Sequence, residues 1–325
     1  MSFDKFLKRL KALWAEPQVR RDLALAAFSL AGGIVLALWW TAAPPPAPHP
    51  VPGIREPATQ QPAVPPAPQK QTEAPPLAPP APEATPEPTW KRNAVALAAV
   101  PQAPMIAIVL DDMGVNRHGT ERAMALPAPI TFAFLPYAHG VETMAATARA
   151  QGHELLVHVP MEPKGPADPG PHALRTGETP AEIGADLTWA LGRFPGYVGI
   201  NNHMGSKFTA DASAMRLVMQ ELQTRGLMFL DSRTGADTQA ANMAREVGVP
   251  VLSRDVFLDN DEDGAEVKAQ FSRLEKLARE HGAAVAIGHP HPETLTILEK
   301  WIPEAKARGF TLVPLTAIVK RHQAT

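Results

Sequence analysis

The stretch 105–114, MIAIVLDDMG, runs six apolar residues straight into two adjacent carboxylates. A continuous apolar run of this length reads as a strand covered on both faces, the kind found in parallel sheets. Side chains alternate along a strand, so Asp111 and Asp112 are expected to point in opposite directions. Two charges at the tip of a buried strand lose much of their hydration, which is costly unless something positive meets them. A positive partner is therefore expected at this tip.

Working outward, comparable runs recur at 130–135, 154–159, 197–201, 227–231, 249–252, 284–288 and 310–313. Amphipathic segments fill the gaps. One of them starts at Pro180 with Thr179 as N-cap and Glu182 three residues on, a capping box. Others stop at Gly152, Gly226, Gly248, Gly282 and Gly309, where a left-handed residue commonly ends a helix. Strands alternating with helices predict an α/β fold, a distorted barrel of seven or eight parallel strands. An open doubly wound sheet is the alternative.

In such barrels chemistry sits at the carboxyl ends of the strands. Here those ends carry Asp111 and Asp112; His158 in VHVPMEP; Asn201, Asn202 and His203 in GINNHMGS; Asp231 and Arg233 in LDSRT; Arg254, Asp255 and Asp259 in SRDVFLD; and His289 and His291 in AIGHPHPET. Any one of these has an ordinary explanation, since an Asp after a strand often caps a helix and a lone His is often structural. Their convergence on one rim is what points to a site. The chain has no Cys, so disulfides and thiolate ligands are excluded, and a metal must be held by His and carboxylate. That donor set suits Zn²⁺ or another borderline divalent ion. His153 precedes its strand and is expected to face solvent.

The 325 residues divide into unlike parts. Residues 1–22 are basic, with Lys5, Lys8, Arg9, Lys11, Arg20 and Arg21, and 23–43 is an uncharged apolar run with Trp39 and Trp40 near its end. A run of about 20 such residues with an interfacial aromatic pair reads as a membrane-spanning helix, and the basic flank keeps the N-terminus in the cytoplasm. A cleaved signal peptide is the rival reading, with Thr41-Ala42-Ala43 as the cleavage region. Residues 44–100 are Pro-rich and expected to be a disordered spacer, and 45 extended residues of it reach about 140 Å. The remainder, 101–325, is long enough for one α/β domain with a substantial core. A net charge of -2 without a basic stripe gives no reason to expect nucleic acid as a partner. Together these place a single-pass protein in the inner membrane, with its folded domain in the periplasm.

Residues 105–320, through IVLDDMG, HVPMEP, GINNHMGS, FLDSRT and AIGHPHP, resemble the divergent polysaccharide deacetylases, distant relatives of the NodB-type carbohydrate esterases. The resemblance implies a distorted (β/α) barrel that binds a divalent metal, usually zinc, through one Asp and two His. It implies Asp111 as general base and Asp112 as metal ligand. The NodB pattern takes both histidines from one H-x-x-x-H segment, whereas this chain has His153 and His158, five apart. An odd separation points them to opposite faces of a strand. The ligands expected with Asp112 are therefore His158 and His203, with His289 as second choice.

On this resemblance the metal polarises an acetamide carbonyl and activates water, Asp111 accepts the proton, and His289 or His291 protonates the departing amine. Asp231 or Arg233 orients these groups or forms a structural pair. Asn201 and Asn202 donate to an oxyanion or a sugar hydroxyl, or tie down their loop, and Glu162 supports the site or is solvated. The implied function is a metal-dependent deacetylase acting on N-acetylated glycan or cell-wall polysaccharide. Two alternatives stand beside it: a glycan- or protein-binding module on the same scaffold, and a structural part of an envelope assembly.

Overall fold

The computed structural model describes residues 87–97 and 101–324. The expected cytoplasmic segment 1–22, the membrane span 23–43 and the spacer up to residue 86 lie outside the described residues. Among the described residues no helix is long and apolar enough to cross a membrane.

One curled sheet organises the domain. Its strands are β1 (Met105–Met113), β2 (Thr131–Phe134), β3 (Glu154–Met161), β4 (Gly199–Met204), β5 (Met228–Asp231), β6 (Val251–Ser253), β7 (Val256–Phe257), β8 (Ala283–Gly288) and β9 (Thr311–Leu312). Every pairing is parallel, in the order β6-β5-β4-β3-β2-β1-β8-β7. β9 pairs with Met105 and Ile106 at the start of β1, below the point where β2 joins at Val109.

The sheet curls almost shut. β6 and β7 lie at its opposite ends, yet only Arg254 and Asp255 separate them. Three peptide steps span at most about 11 Å, so the two edges are brought together. Arg254 N–H still bonds to Asp231 O at 3.0 Å, on the β5 side, while Asp255 N–H already bonds to Val285 O at 2.9 Å, on the β8 side. No ladder joins β6 to β7, so the barrel is open along this seam.

Around the sheet lie α1 (Thr89–Arg92), α2 (Arg117–Met124), α3 (Val141–Ala150), α4 (Pro180–Leu191), α5 (Ala212–Arg225), α6 (Ala240–Val247), α7 (Gly264–His281), α8 (Pro292–Ala307) and α9 (Leu315–Ala324). The capping box of α4 is present, with Thr179 and Glu182 bonding reciprocally. Strand parity divides the core in two. Ile106, Ile108 and Leu110 pack outward against helices, while Met105, Ala107 and Val109 pack inward with Ala133, Leu156 and Leu230. Asp111 continues the inward row of β1, and His158 follows Leu156 on the inward row of β3, which carries both to the mouth of the barrel.

Two sequence expectations need correction. The spacer does not run to residue 100, because residues 87–97 already pack on the domain. Trp90 is buried among the inward cluster, its N–H bonds to Gly226 O at 2.8 Å, and Asn93 Nδ2 donates to Tyr197 O at 2.8 Å. Gly226, at φ +64°, leaves no room for a side chain there, since a Cβ would lie 2.9 Å from Thr89 N. His153 does not face solvent either. It is buried against Phe132, with ring centroids 4.5 Å apart, and its Nδ1 accepts from Ile130 N–H at 3.3 Å. Burial holds its imidazole below the usual histidine range.

Candidate metal centre

The two carboxylates of β1 reach one site because the strand breaks its own alternation. Leu110 pairs with Phe132 and Met113 with Phe134, so Asp111 and Asp112 together oppose the single residue Ala133. This is a β-bulge, and Asp112 adopts φ +54°, a left-handed conformation that costs a non-glycine residue roughly 1 kcal/mol. Met204 and Arg233, at φ 54° and 51°, share that conformation on the same rim. Backbone of this kind gathers where side chains are aimed for a purpose other than packing.

Asp112 meets two imidazoles. Its Oδ1 lies 2.8 Å from His203 Nδ1 and 3.3 Å from His158 Nε2, and those two nitrogens are 3.3 Å apart. His158 and His203 come from neighbouring strands, with His158 level with Asn201 and Pro160 level with His203. Asp112 Oδ1 is buried and has no aligned hydrogen-bond donor despite these neighbours. These three potential ligand atoms close a triangle of 2.8–3.3 Å, a face that an ion with bonds of about 2.0–2.2 Å would fit. The residues present fit a divalent ion. Despite the opposing effect of burial, the two imidazoles hold the Asp112 carboxyl far below the usual range.

Asp111 stands behind this triangle, buried, with Oδ2 3.6 Å from His158 Nε2. Asn201 Nδ2 donates to its Oδ1 at 2.8 Å, and Asn201 Oδ1 lies 2.8 Å from His158 Nδ1. Burial pushes the Asp111 carboxyl up, opposed by the nearby His158 and His289. On the other side of the cluster, His289 Nε2 is 4.0 Å from Asp112 Oδ2. Its Nδ1 lies 3.0 Å from Asp259 Oδ1, and Asp259 Oδ2 accepts from His289 N–H at 2.7 Å and Thr294 Oγ1 at 2.8 Å. Burial opposes protonation of His289, but Asp259 outweighs it and raises the imidazole to about 9.

A second group, Asp259, His289 and His291, is also close enough to hold a metal. Its carboxylate differs from that of Asp112, since both oxygens of Asp259 already face donors. His291 stands aside from the triangle at the start of α8, with Nε2 3.8 Å from Glu262. Asn202, on the outward row, accepts from Ser232 N–H at 3.0 Å and donates to Met204 O at 2.7 Å, tying two loops together. Asp231 does the same locally, accepting from Arg233 N–H and Thr238 Oγ1 at 2.8 and 3.1 Å. The Arg233 side chain is exposed on the rim. Glu162 pairs with Lys207 at 2.8 Å and accepts from Thr176, away from the triangle, and these contacts lower its carboxyl to about 2.

In the sequence Asp259 is a strand-end residue with no assigned role. Its partnership with His289 became visible only once β7 lay beside β8. Ser232 and Thr294, which bond to Asn201 and Asp259, carried no signal in the sequence.

A curled parallel barrel with an Asp-His-His cluster at its mouth defines the scaffold, and the chain belongs to the divergent polysaccharide deacetylase family, whose model matches residues 108–319. It is 40% identical over 240 residues to the uncharacterised protein YibQ of Escherichia coli (strain K12), covering 72% of this chain and 75% of that one. An uncharacterised protein of Haemophilus influenzae (strain ATCC 51907 / DSM 11121 / KW20 / Rd) is 37% identical over 194 residues, 60% of this chain and 69% of its own. Among solved structures, the uncharacterised protein ATU2773 from Agrobacterium tumefaciens C58 superposes with a TM-score of 0.69 at 28% identity. That match covers 71% of this chain and 95% of the other.

Proposed function

We propose that this domain is a metal-dependent hydrolase that removes the acetyl group from an N-acetylated glycan of the cell envelope. The observation that carries this reading is the buried, donor-less Asp112 Oδ1 facing two imidazole nitrogens, with a buried carboxyl on one side and a carboxylate-held imidazole on the other. Asp112, His158 and His203 would hold the ion, which when bound supplies Lewis-acid polarisation of the amide carbonyl and of water. Asp111 takes the proton of the attacking water at its carboxylate. Asn201 holds that carboxylate in place through Nδ2. His289 gives a proton from Nε2 to the amine nitrogen as the C–N bond breaks, and Asp259 keeps the opposite ring nitrogen occupied. The products are acetate and a free amine. The apolar run 23–43 and its basic flank support an inner-membrane anchor with this domain in the periplasm.

The decisive experiment measures acetate release from N-acetylated oligosaccharides by the full chain loaded with zinc, cobalt or manganese. Asp111→Asn should keep its metal and lose about 10²- to 10⁴-fold in rate. No release by the wild-type chain with any of these metals would leave the glycan-binding reading in its place.

A further inference from the structure

Beside the Asp-His-His cluster, the loops after β5 and β6 and the flank of α7 form a second concavity of about 530 Å³. Arg233, Arg254 and Arg273 line it together with Phe257, Asn260 and Gln270. The three guanidiniums come from three separate elements, so the fold, not a local charge run, assembles them. Among the described residues none of the three forms an ion pair with a carboxylate.

Arg254 is the fixed member. Its Nε donates to Ser232 O at 2.7 Å and its Nη2 to Arg233 O at 3.1 Å, and its guanidinium lies 4.6 Å over the ring of Phe257. Burial, and then the charge of Arg233, hold it below the usual arginine range, with Arg273 adding to the effect. One carboxylate, Asp255, shares the lining, and the acidic residues nearby have partners of their own. Asp255 Oδ2 accepts from Val285 N–H at 2.8 Å, Asp261 from Asp263 N–H at 3.0 Å, and Asp263 caps α7 through Ala265 N–H at 2.8 Å. Glu262 is the residue facing His291 at 3.8 Å. Three guanidiniums against a single lining carboxylate leave the concavity with an excess of positive charge, which makes a receptor for an oxyanion, and guanidinium forks suit carboxylate and phosphate alike.

Phe257 connects this basin to the cluster, since its ring centroid is 5.5 Å from that of His289. We propose that the basin binds an anionic substituent, a carboxylate or a phosphate ester, on the glycan whose N-acetyl group is presented to Asp111 and His289. The proposal rests on the deacetylase reading for the placement of the sugar, and makes the substrate an acidic amino sugar, not a neutral one.

The test is calorimetric titration of the full chain carrying Asp111→Asn with N-acetylglucosamine, N-acetylglucosamine 1-phosphate and N-acetylmuramic acid. At least one anionic sugar should bind about 10-fold or more tightly than the neutral one, and which of them does so names the group recognised. Adding Arg233→Gln and Arg273→Gln, both at exposed positions, should bring the affinities within about 2-fold of each other, whereas Lys276→Gln on the same helix should not. Equal affinity for all three sugars, or a preference that survives the double arginine variant, overturns the proposal. Because binding is read without turnover, an anionic preference that the double arginine variant abolishes, with no acetate release, would remove the deacetylase reading and the placement of the sugar while keeping the anion site.

Discussion

Asn201 sets which nitrogen of His158 faces Asp112. Its Nδ2 donates to Asp111 Oδ1 at 2.8 Å, so its Oδ1 is the atom left facing His158 Nδ1, also at 2.8 Å. A carbonyl oxygen can only accept, so His158 carries a proton on Nδ1, and Nε2 is the nitrogen whose lone pair the neutral ring would offer a metal. One amide thus orders both the proposed base and a proposed ligand. Asn201→Ala should weaken zinc binding about 10- to 100-fold, the usual effect of losing a group that orients a ligand. Competition with a chromophoric chelator measures this, and unchanged affinity would mean that His158 needs no such guide.

The ligand assignment makes a sharper demand on the triangle. Asp112→Ala, His158→Ala and His203→Ala should each abolish stoichiometric zinc at micromolar free metal, as judged by elemental analysis after dialysis. His289→Ala should retain zinc. His153→Ala should also retain it, but loss of the buried ring packed against Phe132 makes this variant less stable, by about 1–3 kcal/mol in a denaturant titration. If His289→Ala loses the metal and His203→Ala does not, the ion belongs on the β8 side of the mouth.

Trp90 closes the barrel's floor from a segment that composition assigned to the spacer. Trp90→Ala should cost about 3–5 kcal/mol, the range for truncating a large buried aromatic. A chain beginning at residue 98 should unfold at distinctly lower denaturant than one beginning at 87. Equal midpoints would show that α1 only rests on the domain.

Glu154 gives the stability a pH signature away from the site. It is buried, with Oε1 accepting from Val95 N–H at 3.3 Å and Oε2 from Thr316 N–H at 3.0 Å, and burial raises its carboxyl despite the Thr316 hydrogen bonds. The folded protein therefore holds the proton more tightly than the unfolded chain does. The stability from this group is complete below the unfolded value, near 4.5, and fades as pH rises through the folded one. Relative to Glu154→Gln, the wild type should lose stability as pH rises above about 4.5, and a wild type that gains stability on the variant over that rise would contradict the assignment.

Much of this was legible in the chain because parity and apolar runs are local properties. Each of the eight apolar runs became a strand, and the inward rows through Val109 and Leu156 carry Asp111 and His158 to the mouth. β7 was missed because two residues hold no periodicity. The direction of Asp112 was illegible for a different reason: alternation predicts the opposite face, and only the bulge with its left-handed residue reverses it. His153 looked exposed because a polar residue after a helix-ending glycine usually is, and the Phe132 ring that covers it comes from another strand. Arg273 belongs to a helix face and joins Arg233 and Arg254 only in three dimensions.

The bulge also has a consequence for how such a protein is inherited. Loss of the single codon for Asp112 would leave Leu110, Asp111 and Met113 opposite Phe132, Ala133 and Phe134, an unbroken ladder relieved of its left-handed residue. A lineage could shed its proposed ligand in one in-frame deletion while keeping every strand in register, and regain it by a one-codon insertion. Sequence comparison across descendants should therefore watch the length of this segment as closely as its letters.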